Sequence, residues 1–156
     1  MELSGKLEWI RPKVWKMDWE LRRDSETVAT MSSPAFFGTS MRGTYRGTEY
    51  VLRKGGLRRP GAAMNIVGDK DDLAVLSIDS LGKGTISYKE GPDITWERTG
   101  QGDYWIVTEE GRGVLFTVRR DIRSRRARGE VIIERDHPAL GPILLLSWFM
   151  ISATDP

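Results

Sequence analysis

The chain has 156 residues, enough for one domain with a sizeable core, and its 39% hydrophobic and 29% charged residues are ordinary for a soluble globular protein. With 24 Lys+Arg against 22 Asp+Glu, the net charge of +2 is too small to identify a partner. The absence of cysteine excludes disulfides, thiolate catalysis and zinc–thiolate sites.

The first residues (MELSGKLEWIRPK) contain no apolar stretch of the kind that makes a secretory signal. Together with the missing disulfides, this points to a cytoplasmic protein. Apolar–polar alternation of period two then recurs along the chain. It predicts strands over 7–10, 19–22, 27–32, 40–45, 48–53, 62–67, 73–78, 84–88, 93–98, 104–108, 114–119 and 129–135. The connectors carry turn residues, such as Arg46-Gly47, Gly68-Asp69, Gly82-Lys83-Gly84 and Glu110-Gly111. Residues 65–78 (NIVGDKDDLAVLSI) align without a gap on 105–118 (WIVTEEGRGVLFTV), and 19–31 form a looser third copy. The repeat period suits propeller blades. Two and a fraction copies close more naturally into one barrel than into a propeller of four or more blades.

The last segment differs from all of these. Residues 138–153 (PALGPILLLSWFMISA) carry no charge, and Pro142 suits the first turn of a helix, where its missing N–H costs nothing. A helix over 142–152 would be hydrophobic on every side, and such a helix is expected to be buried on every side. The run is roughly 16 residues against the ~20 needed to cross hydrocarbon, and Gly141, Pro142, Ser147 and Ser152 interrupt it. About twelve antiparallel strands leave two exposed edges unless the sheet closes. A barrel of that size is too wide for its own side chains to fill. The expected fold is therefore mainly β: a single domain, 1–156, in which a closed, mostly antiparallel barrel surrounds a central hydrophobic C-terminal helix. The rival is a membrane anchor, in which the helix leaves the barrel.

This pattern resembles the tubby-like C-terminal superfamily, and within it the LURP-one-related and phospholipid-scramblase-like branch of small prokaryotic proteins. The resemblance rests on the hairpins 19–31, 65–78 and 105–118, the connector Ser33-Pro34-Ala35-Phe36-Phe37-Gly38, and the terminal Pro142-Ile143-Leu144-Leu145-Leu146-Ser147-Trp148. It covers nearly the whole chain as a pattern of elements. It implies a non-enzymatic domain, without a cofactor, that binds anionic phospholipid headgroups at the membrane periphery. Two features of the scramblases do not carry over. The chain has no cysteine for a lipid anchor, and Asp69-Lys70-Asp71-Asp72 lacks the glycine and terminal glutamate of a calcium loop.

Two basic segments are the candidate ligand surface. One runs Arg119-Arg120-Asp121-Ile122-Arg123-Ser124-Arg125-Arg126-Ala127-Arg128, and the other comprises Arg53-Lys54 and Arg58-Arg59. The guanidinium fork donates two hydrogen bonds to one phosphate. Placed at the same barrel end, the two segments would face phospholipid headgroups or, as an alternative, nucleic acid. The bland reading is a pair of solvated loops. The six tryptophans are read as packing between strands and helix. The single histidine, His137, is read as leading into the helix, and Asp69–Asp72 and Glu109-Glu110 as solvated turns. No G-x-S-x-G elbow, phosphate loop or cluster of metal-binding His or Cys is present, so neither catalysis nor a metal is expected.

Overall fold

Alternation sends successive side chains to opposite faces of a strand. A strand that is apolar on one face therefore needs a core on that side alone. The computed structural model describes residues 5–12, 18–33, 40–55, 61–89, 91–99, 102–121 and 128–153. It contains twelve strands: β1 (Gly5–Ile10), β2 (Trp19–Arg23), β3 (Glu26–Ser32), β4 (Ser40–Tyr45), β5 (Thr48–Lys54), β6 (Gly61–Ile66), β7 (Ala74–Ile78), β8 (Gly84–Tyr88), β9 (Ile94–Arg98), β10 (Tyr104–Glu109), β11 (Gly113–Asp121) and β12 (Arg128–Ile133). One helix follows, α1 (Leu140–Ala153). Each sequence-predicted element is present, with ends moved by no more than two residues.

The strands meander in sequence order, every neighbouring pair is antiparallel, and β1 pairs with β12 from Gly5↔Ile133 to Trp9↔Gly129. The sheet thus closes and has no free edge to template aggregation. The three internally similar hairpins are β2–β3, β6–β7 and β10–β11, and all turn at the same end of the barrel. Two of them carry an extra residue. Val28 is inserted opposite Leu21/Arg22, and Leu115 opposite Val107/Thr108. Such bulges tighten the local twist of a strand.

The inward rows supply Leu7, Trp9, Leu21, Met31, Leu52, Met64, Leu76, Ile86, Ile94, Trp105, Val118 and Val131, all buried. Inside them lies α1, whose residues from Leu140 to Ile151 are all buried. Its partners come from around the whole ring. Trp148 stacks on Trp9 of β1 at 5.8 Å between centroids and meets the edge of Trp19 of β2 at 5.0 Å. Ser147 accepts a hydrogen bond from Nε1 of Trp96 on β9 at 3.1 Å. Nearly opposite β9, Gly43 of β4 lies against Leu145. Gly129 of β12 gives Trp148 its space, since a methyl group there would stand 2.3 Å from the indole. Each large apolar side chain of α1 gains about 1.5–3 kcal/mol from this burial. At 14 residues the helix is a lumen plug, and no helix among the described residues is long and apolar enough to cross a membrane.

Candidate anion-binding end

Because all neighbours are antiparallel, six connectors gather at each end of the barrel. We call proximal the end where α1 begins and distal the end where it finishes. The β1–β2, β3–β4, β5–β6, β7–β8, β9–β10 and β11–β12 junctions are distal. By sequence, the segments between those strands hold nine Lys or Arg and three Asp. The proximal segments, 134–139 included, hold five Lys or Arg and nine Asp or Glu. Only Arg11 and Lys83 of the nine distal cations lie among the described residues, so the imbalance belongs to the sequence of the connectors.

The ends of β5 and β11, which bound the two basic segments, are both distal and stand on opposite sides of the ring. Arg119 is exposed, its guanidinium over the Tyr104 ring at 5.4 Å. Arg128 is exposed and pairs with Glu8 at 3.4 Å. Lys54 is exposed at the end of β5. Arg53 is exposed on the outer wall, where it pairs with Asp72. Arg58, Arg59, Arg123, Arg125 and Arg126 lie outside the described residues.

Arg120 faces inward, unlike its neighbour Arg119. It is buried, because the inward row of β11 runs Phe116, Val118, Arg120. Its Nη2 donates to Asp103 Oδ1 at 2.6 Å and its Nη1 to the carbonyl of Ile151 at 2.8 Å. Asp103 also accepts from Arg98 at 3.2 Å. The Arg98 and Arg120 guanidinium groups both sit over Trp105, at 5.0 and 5.1 Å. A cation bound to the last carbonyls of a helix opposes the negative end of its dipole. In this geometry Arg120 ties down the end of α1 instead of facing a ligand. Strand parity was the signal for this in the sequence, and it was hidden inside the run of arginines. Arg98 and Asp103 are the partners that sequence reasoning missed.

The proximal end holds a second buried cluster. Glu109 continues the inward row Trp105, Val107 and is buried, so only Glu110 of that pair is a solvated turn residue. The Glu109 carboxylate accepts from Arg135 at 2.7 Å and faces Nε2 of the buried His137 at 3.4 Å. The other ring nitrogen, Nδ1, accepts the N–H of Ala139 at 2.9 Å, and Leu140 N–H bonds the His137 carbonyl at 3.1 Å. His137 thus builds the turn leading into α1. An acceptor at Nδ1 fixes the neutral tautomer with its proton on Nε2, directed at Glu109. Burial holds the imidazole below its ordinary pKa, against the raising effect of Glu109. For Glu109, burial opposes ionisation, but the Arg135 hydrogen bond and the charges of His137, Arg135 and Arg112 hold the carboxyl below its ordinary value. Asp69 and Asp71 are exposed, as expected of turn residues. Among the described residues no three carboxylate or imidazole groups gather as metal ligands. Five of the six tryptophans are buried, and Trp15 lies outside the described residues.

No family model, no curated protein and no solved structure matches the chain. The twelve-stranded closed barrel around a C-terminal helix is consistent with the tubby-like fold.

Proposed function

We propose that the protein is a non-enzymatic, tubby-like domain of the LURP-one-related and scramblase-like kind, which docks on membranes by binding anionic phospholipid headgroups at its distal end. The carrying observation is the charge difference between the two sets of connectors, read from the sequence. The distal connectors hold nine Lys or Arg and three Asp, and the proximal connectors reverse that balance. A polarised body is oriented by an anionic surface before contact, and each Lys or Arg near such a surface contributes about 1 kcal/mol. The residues assigned to contact are Arg119, Arg123, Arg125, Arg126 and Arg128 of one basic segment, and Lys54, Arg58 and Arg59 of the other. The buried side chains of α1 occupy the lumen, where an interior substrate chamber would lie, and this favours surface binding over catalysis.

The test is flotation of detergent-free protein with neutral and anionic vesicles across a salt series. The expected result is binding to anionic vesicles alone, weakening with salt, and lost in the variant Arg123→Glu/Arg125→Glu/Arg126→Glu. Salt-insensitive binding to both vesicle types would mean insertion instead. Retention on RNA or DNA without vesicle binding would favour the nucleic-acid alternative.

A further inference from the structure

The wall of the barrel has a notch at the proximal end. The β3–β4 register stops at Ala29↔Tyr45, so Glu26, Thr27 and Val28 of β3 project past β4. The bulge at Val28 lies in the same place. An open pocket of about 490 Å³ occupies this notch. That is within the range of about 300–1,000 Å³ common for small-molecule sites.

Four features of its lining point to a phosphate. First, Arg23 and Arg46 line the pocket from β2 and from the β4–β5 turn, with Glu26 the only carboxylate in the lining. Second, the Nε of Arg23 makes no hydrogen bond among the described residues, although the atom is closed to solvent and would have to turn toward the notch to meet a ligand. Such a group calls for an explanation. Third, Arg46 has φ 49° and Gly47 φ 81°, the two left-handed residues of a tight hairpin turn. Asn-Gly is the usual occupant, and a long side chain in that conformation is strained. The strained residue keeps its guanidinium over the Tyr45 ring at 5.3 Å. Fourth, Thr30 and Thr44 share a hydrogen bond at 2.5 Å. One hydroxyl proton of that pair is spent on the bond, and the other is left to donate outward. Thr27 already donates to Glu20 at 2.9 Å and keeps only acceptor capacity.

We infer that this notch is a binding site for a phosphorylated sugar or polyol. Arg23 and Arg46 take the phosphate, and the Thr30–Thr44 pair and Glu26 take hydroxyl groups. The site is independent of the distal cations and lies at the opposite end of the barrel.

The experiment titrates inorganic phosphate and glucose 6-phosphate into isotopically labelled protein and follows amide shifts. Both probes should move the amides of Thr27, Thr30 and Thr44. Glucose 6-phosphate should bind tighter by roughly tenfold, the worth of one or two added hydrogen bonds. Arg46→Asn keeps a residue suited to the left-handed turn. Relief of the turn strain and loss of the Tyr45 contact oppose each other in its stability, and it should weaken both probes by roughly tenfold or more. Arg23→Ala should weaken them similarly, and Thr30→Val should remove only the advantage of glucose 6-phosphate. In the Arg123→Glu/Arg125→Glu/Arg126→Glu variant the amides of Thr27, Thr30 and Thr44 should respond to both probes as in the parent. The inference is overturned if millimolar probe moves none of these amides, if Arg46→Asn binds undiminished, or if the distal triple variant abolishes these shifts.

Discussion

Gly129→Ala tests the position of the helix with a single methyl group. Gly129 has an ordinary strand conformation, so the substitution meets no backbone strain. The new carbon would stand 2.3 and 2.5 Å from Cζ3 and Cη2 of Trp148, far inside van der Waals contact. The indole has little room to yield, because Trp9 stacks on it at 5.8 Å and Trp19 meets it edge-on at 5.0 Å. Overpacking of this kind costs about 1–3 kcal/mol. Trp148→Phe shortens the ring that blocks the site. In that background the methyl group should fit, and the loss of a flexible glycine from the unfolded chain should make it neutral or stabilising by about 0.4–1 kcal/mol. Urea unfolding of the four proteins closes a double-mutant cycle, and a coupling of about 1–3 kcal/mol is expected between residues that touch. Additivity within about 0.5 kcal/mol would refute the contact, and with it the placement of α1 in the lumen.

Other perturbations separate the charged groups by role. Arg120→Ala should cost about 1.5–3 kcal/mol, because the Ile151 carbonyl loses its charged donor and Asp103 keeps only Arg98; Arg119→Ala, on the exposed face, should stay within about 0.5 kcal/mol, and equal losses in denaturant unfolding would contradict the inward–outward split. Leu145→Asp puts an unpaired charge in the lumen and should abolish the cooperative unfolding transition; a normal melt would argue against the plug. The His137 imidazole sits below its ordinary value of 6.5 in the fold, so the unfolded chain binds the extra proton first and stability falls as pH drops below 6.5. Glu109, held below 4.5, contributes stability above that value that is lost as pH falls through its folded pKa, so the two losses add in the acid range. Unfolding measured against pH should show both, and His137→Asn, which can still accept the Ala139 N–H, should erase the upper one.

Most of the architecture was readable because barrel strands with one wet face must alternate, and this chain alternates clearly. Even the unusual element was legible, since a helix like Ile143–Ile151 without a polar side has to be enclosed. Reading failed where charge overrode parity. Arg119 and Arg120 look alike in a basic run, yet one step along β11 sends the first to solvent and the second to the end of α1. Glu109, the last residue of β10, and Glu110, in the turn after it, divide the same way. The Val28 bulge left no mark in the sequence, because no glycine or proline signals it and its neighbours are ordinary strand residues. The bulge and the early end of the β3–β4 register mark the notch that Arg23 and Arg46 both line. The notch is a product of pairing, which only the closed sheet reveals.

The pairing of β1 with β12 also has a consequence for biosynthesis. Gly5 finds its partner in Ile133, and the filling of the lumen comes later still, from residues 140–153. At about 5–20 residues per second, the first strand waits roughly 6–26 seconds beside an incomplete sheet before Ile133 exists, and longer for α1. Through that interval the nascent chain holds an apolar inner face with nothing against it. Holdase chaperones should therefore engage this protein during translation and release it once residues 140–153 have left the ribosome, which ribosome-associated crosslinking at increasing chain lengths would show.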